Sequence, residues 1–180
     1  MAVGGKLDVS AGEPVRIARK PRRGGHIDRR RRRSGRGVEQ RARDLHDVET
    51  ISMHLEGPAP HVAPDLAGHI RHNALFIGAN VREAVNSGRA DFTPVFLSDV
   101  PALFSDGTLP LDVALIQVSR PNEAGECSLG VAIDVARPAA TAARYVVAEM
   151  NAQMPFSLGA SSIPLDAIDA WVETDRPLHT

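Results

Sequence analysis

The chain has 180 residues, which suits one domain with an ordinary core, and 43% of them are hydrophobic, which excludes a wholly disordered protein. Cys127 is the only cysteine, so no intrachain disulfide can form, as fits a reducing compartment; no run approaches the roughly 18 apolar residues of a membrane span. The net charge of −1 hides an asymmetry: Arg16 to Arg43 carries 13 Lys/Arg against Asp28 and Glu39, and the remainder is strongly acidic. Aromatic residues are only 4%, so the core must be built from Val, Leu, Ile and Ala. The amino terminus, MAVGGKLDVSAGEP, lacks the apolar stretch of a signal peptide, and the expected location is cytoplasmic.

Residues 16–43 read RIARKPRRGGHIDRRRRRSGRGVEQRAR and show almost no apolar periodicity. Arg29–Arg33 is an unbroken run of like charges that repel one another, so residues 1–43 are expected to form an Arg-rich, loosely ordered segment. From Asp44 the character changes. Val48–His54 and Asn73–Gly78 read as strands. Asn80 followed by Glu83 has the pattern of a capping box, with Val81, Ala84 and Val85 on one helical face and Gly88 placed to end the helix. Asp91–Leu97 reads as a short strand, with Pro94 arguing for an edge or a bend. Ser98 or Asp99 is placed to cap a helical turn over Val100–Phe104, ended near Gly107.

Leu111–Val118 (LDVALIQV) is the strongest strand signal, apolar nearly throughout as a strand covered on both faces should be. A turn-rich loop, SRPNEAGECSLG, follows it. Pro138–Arg144 reads as a helix with proline in its first turn. Tyr145–Met150 reads as a buried strand, and Asp166–Glu173 as a short helix. Apolar strands alternating with short helices predict an α/β domain over residues 44–180, with an open, largely parallel sheet and flanking helices. His61, His69 and His72 match no metal-binding spacing and read as surface histidines. Cys127 reads as a small core residue.

Three stretches resemble one family. NALFIGANVREAVNSGRADFTPVFLSDVPALF, LPLDVALIQVSRPNEAGECSLGVAIDVA and VVAEMNAQMP are similar, in order, to signature blocks of the acetyl-CoA hydrolase/transferase group, which includes acetate and 4-hydroxybutyrate CoA-transferases. The resemblance runs from about Asp44 to Leu178. It implies a CoA-transferase-like amino-terminal domain, a coenzyme A thioester as substrate with no bound cofactor, and a short carboxylate as acceptor. It also implies covalent catalysis by a glutamate that takes CoA from the thioester. In the family that glutamate and a glycine-rich CoA loop lie in the carboxy-terminal half. The chain ends at Thr180, so a carboxy-terminal domain or second subunit is the expected partner, and neither a membrane nor nucleic acid is.

The resemblance also points to site residues. Ligands in open α/β sheets gather outside the carboxyl ends of the strands. That places Ser119, Asn122, Gly125 and Ser128, in the loop after Leu111–Val118, as substrate-binding candidates; the bland alternative is an ordinary Pro/Asn/Gly turn. Glu149 ends a strand and is a further candidate, as is Asn80, whose other role is the helix cap. No catalytic or metal-binding residue is assigned. Two departures stand out: Phe156-Ser157 follows Met154-Pro155 where the family has Arg-Thr, and Ser119-Arg120-Pro121-Asn122 replaces Ser-Pro-Pro-Asp. The family's strand, glycine loop and apolar helix cannot be built from Arg16–Arg43, and a shifted reading frame would account for it. The rival reading is a non-enzymatic protein whose basic arm, Arg29–Arg33, binds nucleic acid.

Overall fold

The computed structural model describes residues 2–4, 18–19 and 46–178. The Arg-rich segment therefore lies outside the described residues, apart from the two residues of one short strand. The strands are β1 (Ala2–Gly4), β2 (Ala18–Arg19), β3 (Val48–Ser52), β4 (Ile70–Ala74), β5 (Asp91–Phe92), β6 (Val113–Val118), β7 (Glu126–Ser128), β8 (Tyr145–Asn151), β9 (Ser162–Pro164) and β10 (Ala170–Thr174). Among the described residues three α-helices connect them: α1 (Ala79–Asn86), α2 (Val100–Ser105) and α3 (Ala136–Ala142). Eight strands form one sheet in the order β2-β10-β8-β6-β1-β3-β4-β5. Only β2 runs antiparallel to its neighbour.

β6 sits between β8 and β1, as its unbroken apolar run requires. Ala114, Ile116 and Val118 align in register with Val146, Ala148 and Met150, and all six are buried on one face. Val100 and Phe104 from α2, and Ala136 and Ala139 from α3, complete that core. On the opposite face Gln117 lies opposite Glu149, and both are buried at the carboxyl end. Parallel strands thus deliver one apolar face to the helices and a polar row to the edge where ligands bind in such folds.

Several boundaries differ from the sequence reading. β4 ends at Ala74, so Leu75, Phe76 and Ile77 of the apolar Asn73–Gly78 run form the crossing into α1; pairing with β3, from Val48↔Ile70 to Ser52↔Ala74, sets the limits instead. The N-cap of α1 is Gly78 and no side chain caps it, so Asn80 and Glu83 form no capping box. β5 keeps only two residues, at the sheet edge that Pro94 implied. The loop after β6 contains β7, which pairs antiparallel with β9 in a separate two-stranded sheet.

The expected helix over Asp166–Glu173 is instead a single 3-10 turn, Leu165–Ala167, followed by strand β10. Ala-Trp-Val-Glu-Thr favours extended backbone. The flank of β8 offers a full ladder to it, from Ala170↔Val147 to Thr174↔Asn151. Tertiary pairing outweighs the weak helical periodicity of the segment.

Candidate active-site edge

The carboxyl ends of β6, β8 and β10 meet at one edge and carry a polar network. Glu149, 4% exposed, accepts hydrogen bonds from Thr174 Oγ1 at 2.9 Å, Arg176 Nε at 2.6 Å and Arg176 Nη2 at 2.8 Å. The last two form a bidentate, charge-assisted pair, the strongest geometry available to these groups. Asn151 locks the same segment: its Nδ2 donates to Arg176 O at 2.9 Å, and its Oδ1 accepts from Arg176 N at 3.2 Å and Gln153 N at 3.1 Å. Glu149 therefore stands at the carboxyl edge with both oxygens engaged. Arg176, Thr174 and Asn151 are absent from the sequence-derived candidates. Reading Asp166–Glu173 as helix concealed Thr174 and Arg176, because only a strand there carries them to this edge.

Ser119 and Ser128 come together directly. Ser119 N donates to Ser128 O at 2.8 Å, and Ser128 N to Ser119 Oγ at 2.9 Å. Ser128 Oγ is a fully buried hub. It accepts from Gly130 N and Ser157 N, each at 3.1 Å, and donates to Ser161 Oγ at 3.1 Å. Ser157 Oγ donates to Gly130 O at 3.0 Å, tying the same two loops a second time. The family's threonine at position 157 is thus replaced by a residue that keeps the hydroxyl.

Asn122 and Gly125 shape the outer turn. Asn122 Oδ1 accepts from Ala124 N at 3.0 Å and Glu126 N at 2.9 Å, while Gly125 adopts φ 76°. That is the side-chain turn geometry Asn favours. Asn80 lies apart from these groups. Four strand spacings of roughly 4.8 Å separate β4 from β8, about 19 Å. Its Nδ2 donates to Leu55 O at 3.1 Å and Gly57 O at 2.9 Å, fastening the loop after β3 to α1. Glu83 is exposed and paired with Arg89 at 3.0 Å.

His72 departs from the surface reading. It is 1% exposed, with Thr50 Oγ1 at 2.9 Å from Nδ1 and Ser52 Oγ at 3.2 Å from Nε2. Burial, and then the neighbouring His61 ring, push its pKa down to about 4, so it is neutral near pH 7. Burial also pushes the Cys127 thiol up, consistent with a core residue.

The profile of the acetyl-CoA hydrolase/transferase N-terminal domain matches residues 39–178. The chain belongs to the acetyl-CoA hydrolase/transferase family. It is 49% identical over 131 residues to the 4-hydroxybutyrate coenzyme A transferase of Clostridium kluyveri, covering 73% of this chain and 30% of that protein. It is 41% identical over 138 residues to the succinyl-CoA:acetate/propanoyl-CoA:succinate CoA transferase of Fasciola hepatica, covering 77% of this chain and 28% of that one. The crystal structure of 4-hydroxybutyrate CoA-transferase from Porphyromonas gingivalis superimposes with a TM-score of 0.60 at 34% identity, over 78% of this chain and 31% of its own. RipA from Yersinia pestis superimposes with a TM-score of 0.71 at 25% identity, over 79% and 36% respectively. The chain thus spans about three tenths of the curated relatives it matches. The fold is that of an acetyl-CoA hydrolase/transferase amino-terminal domain, with its parallel strands opening on the edge described above. Among the described residues no helix is long and apolar enough to cross a membrane.

Proposed function

We propose that this domain forms the amino-terminal side of an acyl-CoA:carboxylate CoA-transferase or acetyl-CoA hydrolase site, working on CoA thioesters and short carboxylates such as acetate or 4-hydroxybutyrate. The observation that carries the reading is the polar edge at the carboxyl ends of β6, β8 and β10, in a domain whose sequence follows a 4-hydroxybutyrate CoA transferase at 49% identity. Open parallel sheets bind ligands at that edge. Glu149 and Arg176 there shape the cleft wall rather than attack the thioester, because the guanidinium already occupies both carboxylate oxygens. Ser119 and Ser128 hold the loops that frame the cleft, and Asn122 and Gly125 set the outer turn. The nucleophilic glutamate and the CoA loop come from a carboxy-terminal domain or second subunit.

A chimera tests this. The chain is followed by the part of the Clostridium kluyveri relative beyond the matched stretch, and CoA transfer from acetyl-CoA to 4-hydroxybutyrate is measured. Transfer above the background of either part alone is the expected result. A folded chimera with no transfer would sink the reading.

A further inference from the structure

The carboxyl edge of the sheet carries a second feature, apart from the polar network. Among the described residues eight large hydrophobic side chains are exposed, and seven of them end or follow a strand at that edge. Phe76 lies just beyond β4; Phe92 ends β5, and Phe96 and Leu97 follow it. Val131 lies in the stretch after β6 and β7, and Phe156 and Leu158 lie in the loop after β8. The exception, Tyr145, opens β8 at the opposite edge. The chain has five phenylalanines, and four of them belong to this exposed set. An edge that faced only water would not gather the apolar surface of the domain, and a contiguous exposed apolar patch marks a protein interface or a ligand groove.

Width separates these two possibilities. In the sheet order β8-β6-β1-β3-β4-β5 the two ends of the set stand five strand spacings apart, roughly 24 Å at about 4.8 Å each. No short acyl group or carboxylate bridges that width. With exposures from 39% to 89%, the seven side chains offer on the order of 700 Å². That is close to the roughly 800 Å² per partner of a standard protein interface. Charged groups stand around them, as at an interface rim. The His54 ring lies 5.5 Å from that of Phe76, and its Nε2 pairs with Glu56 at 2.8 Å. Arg137 Nη1 donates to Ala160 O, two residues from Leu158. Both ends are fastened in advance. Asn80 Nδ2 holds Leu55 O and Gly57 O at one, and Ser128 Oγ holds Gly130 N and Ser157 N at the other. A surface held this way receives a partner without first ordering its loops.

We propose that this edge, from the loop after β8 to the stretch after β5, is the surface on which the carboxy-terminal part of the transferase docks. Phe96 and Leu158, the most exposed of the set, are its two anchors. The assignment rests on the CoA-transferase reading above and names the partner surface of that site. The curated relatives carry about seven tenths of their length outside the stretch they share with this chain. A folded domain spans the width that a substrate does not. Seated on both anchors, it reaches the Glu149 edge, which lies on the strand that leads into the Leu158 loop. A second copy of this chain would bury the same apolar area, but neither of its candidate carboxylates is free: Glu149 is held by Arg176 and Glu83 by Arg89.

Thiol labelling tests this, with F96C and L158C at the two anchors and Y145C as a control at the opposite edge. Labelling of each introduced cysteine is followed by peptide mass spectrometry, in the 180-residue chain and in the chimera with the remainder of the Clostridium kluyveri relative. All three positions should label rapidly in the chain alone. In the chimera F96C and L158C should slow by about tenfold or more while Y145C is unchanged. If a folded chimera transfers CoA and all three still label rapidly, the inference is wrong and the functional reading stands. If F96C and L158C are protected in a folded chimera that transfers no CoA, the functional reading fails and the docking surface stands. Should the fusion not fold, the remainder co-expressed as a separate polypeptide should co-purify with the tagged chain, and F96D with L158D should abolish this; soluble parts that do not co-purify would refute the docking. Protection of F96C or L158C in the chain alone would overturn the assignment, and accompanying self-association in sedimentation would identify the occupant as a second copy.

Discussion

Single residues in this domain are constrained mainly by what they touch. His72 is buried and neutral between two hydroxyls, with its pKa lowered from 6.5 to about 4. The unfolded chain therefore binds a proton that the folded chain refuses between these values. Its contribution to stability is fully present above pH 6.5 and is lost as pH falls toward 4, by up to about 3 kcal/mol. Urea unfolding from pH 7 to 4.5 should show stability falling with pH, and H72Q should make that fall shallower; an unchanged slope would refute the assignment. Two glycines with similar backbones offer a contrast. Gly125 has φ 76° with open space around it, whereas Gly130 has φ 58° against Met154 Sδ and Pro155 O. G125A carries only the backbone strain, about 1 kcal/mol. G130A adds a clash with packed neighbours and should cost about 2–4 kcal/mol. Equal losses in thermal unfolding would contradict the close approach at Gly130.

Elements were legible in the sequence where burial on both faces wrote an unbroken apolar pattern. Leu111–Val118 and Tyr145–Met150 became β6 and β8, neighbours in the sheet, with ends moved by one or two residues. Short elements were decided by partners that lie far away in sequence. β10 exists because β8 has a flank to pair, and β7 because β9 lies opposite it. The site inherited this limit. Ser119, Ser128 and Glu149 were readable from their place after strong strands, but Thr174, Arg176, Ser157 and Ser161 reach the edge only through those long-range pairings. The hydroxyls of the candidate residues Ser119 and Ser128 act as cross-braces between loops, a role that spacing along the chain does not display. Ser128 gives that role a measurable consequence. S128A leaves two amides, that of buried Gly130 and that of half-buried Ser157, without their acceptor. Each orphaned group costs about 1–3 kcal/mol. Unfolding should therefore shift by about 2–4 kcal/mol, with faster hydrogen exchange confined to the two loops. S119A removes one acceptor, that of Ser128 N, and should cost about half as much. A silent S128A would mean that the loops are held by packing alone.

At the scale of the molecule, the domain presents a framed edge but no free nucleophile among its candidate carboxylates. Glu149 is 4% exposed with both oxygens bound by Arg176 and Thr174, and Glu83 lies on α1, exposed and paired with Arg89. Freeing Glu149 would break the bidentate pair that joins it to the Arg176 guanidinium, whose side chain is only 19% exposed. Transfer of CoA through an enzyme carboxylate needs that group placed against the thioester carbon, with amide donors aimed at the developing oxyanion. Loss of one such donor alone costs a factor of about 10² or more. The 180-residue chain alone is therefore expected to bind acyl-CoA without transferring it. Purified chain incubated with acetyl-CoA and labelled acetate, 4-hydroxybutyrate or water should form no new acyl-CoA with either acid and release no CoA to water above a buffer blank. Borohydride should trap no glutamyl–CoA thioester. The chimera with the remainder of the Clostridium kluyveri relative should form 4-hydroxybutyryl-CoA from acetyl-CoA and give the trapped adduct, with the trapped glutamate lying outside the segment supplied by this chain. An adduct on Glu149 or Glu83 would show that the ion pairs described here open during turnover, and that this single α/β layer is sufficient for the chemistry.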